Sequence, residues 1–308
     1  MKLKSRKEIK KPDITYNLHV KNNHNYFANG ICVSNCHLAK ATSIKSINQK
    51  CFNAKYRIGF TGTMPDKEVE TMMDYYTILS YIGPVLYHVT AKQLIDAGVL
   101  ADIAIKNIII RYPDEFAAKN RDRSYENEQD AIESYLPRNK VFKSIITNSV
   151  AGSNTLILVR HIDHLKTIYD YLKDELDGTH QVEFIYGKVK ASRREQIRKE
   201  MDASTNYVLV ASYDTFSTGL NVKNINNVIL GSGYKSKYKV LQSIGRGLRR
   251  SDTKFKVLVF DLVDDLSIIQ GTGRRVKKNH LYGHYEKRVI QYNREGFPNS
   301  ETLINISE

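Results

Sequence analysis

The feature that most constrains this chain is a series of short apolar runs, separated by helical patterns, in the second half of its 308 residues. Residues 155–159 (TLILV), 182–186 (VEFIY), 207–212 (YVLVAS), 227–230 (NVIL) and 256–263 (KVLVFDLV) are rich in Val, Ile and Leu. Their length and composition read as strands buried on both faces. Between the first two, residues 161–176 put Ile162, Leu165, Ile168, Tyr169, Leu172 and Leu176 on one helical face. Ser192-Arg193-Arg194-Glu195 has capping-box spacing and is read as opening a helix with Ile197 and Met201 inward. Alternation of this kind predicts an α/β fold, a parallel sheet with helices on both faces. In such sheets ligands sit at the carboxyl ends of the strands.

Two segments at such ends carry candidate chemistry. Tyr213-Asp214-Thr215-Phe216-Ser217-Thr218-Gly219-Leu220-Asn221 reads as a loop with hydroxyls and free amides, a composition suited to phosphate oxygens or a nucleic-acid backbone. Gln242-Ser243-Ile244-Gly245-Arg246-Gly247-Leu248-Arg249-Arg250 places Arg246 and Arg249 three apart, so that one helical turn would aim both guanidinium groups together. Such a pair clamps a transferring phosphoryl group. By itself the pair reads as a basic helix surface with two glycines, and it is the two segments together, in this order at strand ends, that favour the phosphate reading.

The N-terminal stretch carries a different chemistry. Asn29-Gly30, between the apolar runs Tyr26-Phe27-Ala28 and Ile31-Cys32-Val33, is a strong hairpin signal. It would bring Asn35 and Cys36 to the end of a strand. A cysteine thiolate accepts acyl groups, and an asparagine amide attacks its own carbonyl and cuts the chain after itself. His24 lies just upstream as a proton donor. Spacing alone also fits an ordinary hairpin followed by an Asn-Cys dipeptide.

Residues 16–36 resemble the C-terminal splicing blocks of inteins, through Tyr16-Asn17-Leu18-His19-Val20, His24-Asn25-Tyr26-Phe27-Ala28-Asn29-Gly30 and Ser34-Asn35-Cys36. The resemblance implies that Asn35 cyclises, that Cys36 is the first extein residue and acyl acceptor, and that His24 assists. Ser34 and Asn17 stand where inteins usually carry His and Asp, which implies slow or partner-dependent cyclisation. A segment this short resembles the C-terminal piece of a split intein. Its partner would be an N-terminal split-intein/helicase polypeptide. Segment 1–35 has seven Lys/Arg against two Asp/Glu, which suits an acidic partner.

The remainder resembles superfamily 2 helicases. Residues 213–221 and 242–249 resemble motifs V and VI, Leu156–Arg160 the motif IV strand, and Phe60-Thr61-Gly62-Thr63 motif III. Cys36-His37 would complete an Asp-Glu-x-His box whose acids, on the partner, hold magnesium. Residues 58–66, 240–250 and 260–265 are similar to the UvsW-type recombination helicases of tailed phages. That resemblance implies RecA-like lobes, a complete second and a partial first, and an ATP-dependent DNA helicase or translocase. It implies that Arg246 and Arg249 meet the γ-phosphate as arginine fingers, Gln242 supports them and Gly219 faces ATP. Thr215, Ser217, Thr61 and Thr63 would lie near nucleic acid, and His37 would couple the ATP site to motif III. No G-x-x-x-x-G-K-[ST] loop occurs in the chain, so ATP and Mg2+ are expected to need the upstream polypeptide.

The bulk numbers agree. The formal charge is +14, of which segment 1–35 supplies +5, and the remainder suits a polyanion such as DNA. Cys32, Cys36 and Cys51 form neither a metal-ligand spacing nor an even disulfide set and suit a reducing cytoplasm. No run is apolar and long enough to span a membrane, so no membrane partner is expected.

The expected organisation is an intein fragment at 1–35, the end of lobe 1 at 36–90 and a connecting segment at 91–135. Lobe 2 then spans 136–265, and an extension spans 266–308. Residues 113–133 read as a mobile loop. Tyr282, His284, Tyr285 and Tyr292 read either as base-stacking groups or as tyrosines packed on the lobe. The alternative function is a non-catalytic nucleic-acid-binding module without splicing.

Overall fold

The computed structural model describes residues 25–28, 31–35, 57–60, 72–219, 222, 224–233, 256–270, 274–276 and 278–307. The chain divides into two compact units, Met1–His88 and Val89–Glu308.

In the first unit, β1 (Asn25–Ala28) and β2 (Ile31–Asn35) pair antiparallel, with Ala28 opposite Ile31. Two residues join them, as the Asn-Gly signal predicts. Asn35 is the last residue of β2. There it lies opposite Phe60 of β3 (Arg57–Phe60), which pairs parallel with β2. Helix α1 (Met72–Ile82) follows.

The second unit opens with α2 (Ala91–Asp96), started by a capping box. Thr90 Oγ1 accepts from Gln93 N at 3.2 Å, and Gln93 Oε1 accepts from Thr90 N at 2.9 Å. Then come β4 (Asp102–Arg111), α3 (Asp114–Asn120), α4 (Tyr125–Glu133), a 3-10 turn (Leu136–Arg138) and α5 (Asn139–Thr147). The alternating stretch follows: β5 (Thr155–Val159), α6 (Ile162–Glu175), β6 (Gln181–Ile185), α7 (Ala191–Ala203), β7 (Tyr207–Ser212), α8 (Tyr213–Gly219) and β8 (Asn227–Leu230). Beyond these lie β9 (Lys256–Asp265), the antiparallel pair β10 (Ile268–Gln270) and β11 (Arg274–Val276), α9 (His280–Arg294) and β12 (Asn299–Asn305).

Seven strands form one sheet in the order β12-β4-β9-β8-β5-β7-β6, and every neighbouring pair is parallel. The five strands read from sequence are all in it. Their side chains alternate between two cores, as the two-residue period requires. Leu156, Leu158, Leu209 and Val228 face Ile197, Met201 and Phe216 of α7 and α8. Ile157, Val159, Val208 and Ile229 face Phe142, Leu165 and Leu172 of α5 and α6. Leu165, Ile168 and Leu172 are fully buried, each contributing about 1.5–3 kcal/mol of apolar transfer energy.

Three expectations are corrected. Residues 113–133, read as a mobile loop, form α3 and α4, and Glu128, Gln129 and Ile132 are buried. The loop expected at 213–221 begins as α8, because β7 runs straight into a helix. Helix α7 starts one residue before Ser192, and its N-cap Lys190 makes no side-chain cap bond, so Ser192 does not cap it. Ile197 and Met201 are nevertheless inward.

The sheet also draws strands from outside 136–265. Strand β4, next to the edge, lies in the stretch expected to be a connection, and edge strand β12 in the stretch expected to be an extension.

Candidate functional site

Because all seven strands are parallel, their carboxyl ends gather on one edge, and the polar groups of the lobe concentrate there. Arg160 and His161 follow β5, Ser232 follows β8, Asp264 is the penultimate residue of β9 and Tyr112 follows β4. Helix α4 lies across them. Its Ser124 N-cap accepts from Asn127 N, and its polar residues recur at helical spacing on the buried side.

Tyr125, Gln129 and Glu133 of α4 each meet these strand ends. The Tyr125 hydroxyl donates to Gly233 O at 3.0 Å and accepts from Arg160 Nη1 at 3.3 Å. Gln129 Oε1 accepts from Arg160 Nη1 at 3.0 Å, and its Nε2 donates to Glu133 Oε1 at 2.7 Å. Ser232 Oγ donates to Glu133 Oε1 at 3.0 Å, and His161 Nδ1 stands 2.8 Å from Glu133 Oε2. Glu128, wholly buried, accepts from the backbone N–H groups of His280 at 3.0 Å and Leu281 at 2.9 Å, and so caps α9 from another element. Burial pushes its carboxyl up, and these bonds oppose the rise.

Beneath lies a buried ion pair. Arg138 Nε meets Asp264 Oδ1 at 2.7 Å and Arg138 Nη2 meets Asp264 Oδ2 at 3.0 Å, with both side chains 1% exposed. Arg138 Nη2 also donates to Gly231 O at 2.9 Å, and the Tyr112 hydroxyl donates to Asp264 at 2.7 Å. Burial works against the guanidinium charge, and Asp264 more than restores it. The turn after β8 leaves little room for side chains, least of all at Gly231 against the Phe142 ring. A Cβ on Gly231 would stand 2.9 Å from the Phe142 ring, and one on Gly233 would stand 2.6 Å from Leu281 Cδ2.

A pocket of about 600 Å³ opens beside this frame, lined by Asp130, Glu133, Arg160, His161, Asp163 and His164 among others. Burial would raise the Glu133 carboxyl. The neighbouring His164, then Gln129 and His161, outweigh burial and hold it at about 2. His164 Nδ1 stands 3.6 Å from Glu133 Oε1, and burial pushes its imidazole below the usual range against that neighbour.

Of the residues expected from sequence, Thr215 lies in the first turn of α8, 5% exposed, with Ser212 Oγ donating to its hydroxyl at 2.8 Å. Ser217 and Gly219 lie in the same helix, and Asn35 ends β2. His24, Cys36, His37, Thr61, Thr63, Gln242, Arg246 and Arg249 lie outside the described residues. The frame contributed by Tyr125, Gln129, Glu133 and Arg138 was missed. Ser124 at an N-cap position was the available signal.

Among the described residues, no helix is long and apolar enough to cross a membrane, and no group of His, Cys, Asp and Glu is placed to hold a metal ion.

A parallel seven-stranded sheet of this order, with polar groups at the carboxyl edge, has the α/β architecture of a RecA-like lobe. Residues 137–251 match the family model "Helicase conserved C-terminal domain". The chain is similar to the ATP-dependent DNA helicase UvsW of Enterobacteria phage T4, 32% identical over 276 residues that cover 88% of this chain and 54% of that protein. The crystal structure of T4 UvsW aligns with a TM-score of 0.59 and 30% identity, over 89% of this chain and 53% of that one. The DNA-bound restriction-modification enzyme LlaBIII shares the fold, with a TM-score of 0.61 at 14% identity over 91% of this chain and 22% of that one. The chain thus spans about half the length of UvsW.

Proposed function

We propose that this chain is the C-terminal part of an ATP-dependent DNA helicase or translocase of superfamily 2, acting on branched DNA in recombination or repair. The observation that carries the reading is the 32% identity to UvsW across nearly the whole chain. The basic charge of +14 supports a polyanionic partner. In this reading Arg246 and Arg249 meet the γ-phosphate of ATP, Gln242 supports them and Gly219 lies beside the nucleotide. Ser217, Thr61 and Thr63 lie near nucleic acid, as does Thr215, whose buried hydroxyl is held by Ser212. His37 links the two sites. Mg2+ is held by carboxylates of an N-terminal polypeptide.

That polypeptide is joined here by trans-splicing. Asn35 cyclises with help from His24, and Cys36 takes the acyl group. The support is the sequence of 16–36, together with the end of β2 at Asn35.

The test is mass spectrometry of the chain mixed with its candidate N-terminal partner, beside Asn35→Ala and Cys36→Ala controls. Loss of residues 1–35 and gain of an upstream segment, with the native junction alone, is the expected result. ATP hydrolysis is expected from the ligated product and not from the unspliced chain. An unchanged mass with retained DNA binding would favour a non-catalytic nucleic-acid-binding lobe instead.

A further inference from the structure

Large apolar side chains crowd the surface of the first unit along residues 72–87. Eleven of those sixteen residues are apolar, and Asp74 is the one charged residue. On α1, Met72, Met73 and Tyr76 stand three and four residues apart, so they share a side, and all three are exposed. Ile78 turns the other way and is buried. The helix stops at Gly83, whose N–H bonds Leu79 O at 2.9 Å and whose φ of 119° suits glycine. Val85, Leu86 and Tyr87 follow, and Leu86 and Tyr87 are 91% and 85% exposed.

Single exposed apolar residues are ordinary. The second unit has such residues far apart in the chain, as at Val99, Val150 and Leu303. Six within sixteen residues form a patch of the kind that marks an interface. The chemistry of the stripe narrows its occupant. It holds no Lys or Arg, so it does not suit a polyanion. Helix α1 has 11 residues, too few to cross a bilayer. An apolar protein surface fits both facts. Position selects which one. The same unit contains β2, which ends at Asn35, with β3 paired beside it. A polypeptide joined at Cys36 enters at this unit, and the chain itself spans about half the length of UvsW.

We infer that residues 72–87 are a docking surface for the helicase part of the N-terminal polypeptide, held there before splicing joins the two. The inference rests on the trans-splicing reading above. It adds an attachment between the helicase halves to the one between the intein halves. The two attachments differ in kind. The basic segment 1–35 attracts its partner from a distance and sets a salt-dependent association rate. The apolar stripe acts on contact and slows dissociation.

The test uses the full chain carrying Asn35→Ala and Cys36→Ala, so that binding is read without covalent joining. Surface plasmon resonance would follow it over the immobilised candidate partner, the polypeptide whose helicase part ends in Asp-Glu before its intein segment. Leu86→Ser and Met73→Ser are each expected to speed dissociation about tenfold, as loss of a buried apolar side chain should. The association rate and its salt dependence should stay as they are, because neither substitution changes charge. Val150→Ser, in the second unit, should change nothing. The melting temperature of the chain alone should be the same in all three variants, because these side chains are exposed in it.

Wild-type dissociation in Leu86→Ser and Met73→Ser would overturn the inference and leave the trans-splicing reading standing. So would a lowered melting temperature in both, which would assign the side chains to the chain's own fold. A dimer of the chain alone, abolished by Leu86→Ser, would give the stripe to a second copy instead. No binding by the parent pair would overturn the inference together with the reading beneath it.

Discussion

At the scale of single residues, the lobe concentrates its electrostatic stakes in a few buried groups. Asp264 accepts from Arg138 and Tyr112 in a site with almost no solvent access. Removing the acid alone leaves the guanidinium charge unpaired, so Asp264→Ala is expected to cost about 3–5 kcal/mol. Urea unfolding would read this as a lower midpoint at unchanged slope. His164 supplies a pH dependence of definite sign. Its folded pKa lies below the ordinary 6.5, so below that pH the unfolded chain binds the extra proton. Stability should fall as pH drops below 6.5. His164→Gln, which cannot titrate, should flatten the melting temperature between pH 7 and 5. Glu133 acts lower. Its folded pKa of about 2 lies under the ordinary 4.5, so its contribution is complete above 4.5 and is lost as pH falls towards 2.

At the scale of elements, α4 and α9 work as a pair. Glu128 accepts from the first backbone N–H groups of α9, and Asn279, the N-cap of that helix, donates to Glu128 at 2.8 Å. Arg288 and Tyr292 of α9 then reach down to Asp261 of β9 at 2.8–2.9 Å. Tyr285 and Tyr292 are packed against the sheet, 2% and 1% exposed. Of the two readings open for these tyrosines, packing is the one found. Glu128→Ala would orphan buried donors and should cost about 1–3 kcal/mol. Hydrogen exchange should show the loss first at the amides of His280 and Leu281.

At the scale of the whole second unit, the sheet is finished by its two extremes. Strand β4 lies between β9 and β12, and β12 pairs with it from Asn299 opposite Ile105 to Asn305 opposite Arg111. A chain ending at residue 277 would lack α9 and β12, leave Asp261 without Arg288 and Tyr292, and uncover Ile109 and Val263. Such a chain is expected to lose cooperative thermal unfolding, which calorimetry would show as a broadened or missing transition.

The five strands of the alternating stretch, and the inward faces of α6 and α7, were legible because local pattern and tertiary environment agree there. A strand buried on both faces must be apolar throughout, and a covering helix must be apolar on one side. The hairpin ending at Asn35 was legible for a similar reason, since a two-residue turn demands its own residues.

The strand β4, with Lys106 and Asn107 in its middle, and the exposed edge strand β12 carry no such uniform pattern, and only their neighbours in the sheet define them. The same holds for α4. Tyr125, Glu128, Gln129 and Glu133 form a polar run that reads as solvated loop. The partners that make it a buried brace, Arg160, Gly233 and Leu281, are distant in sequence. The sequence by itself determined the parallel sheet and its helical layers, through periods of two and three to four residues, while the likeness to a helicase lobe came from the resemblance of residues 156–160, 213–221 and 242–249 to helicase motifs. Tertiary structure alone decided which polar side chains are buried together at the carboxyl edge, because hydrogen bonds between distant segments leave no period in the chain.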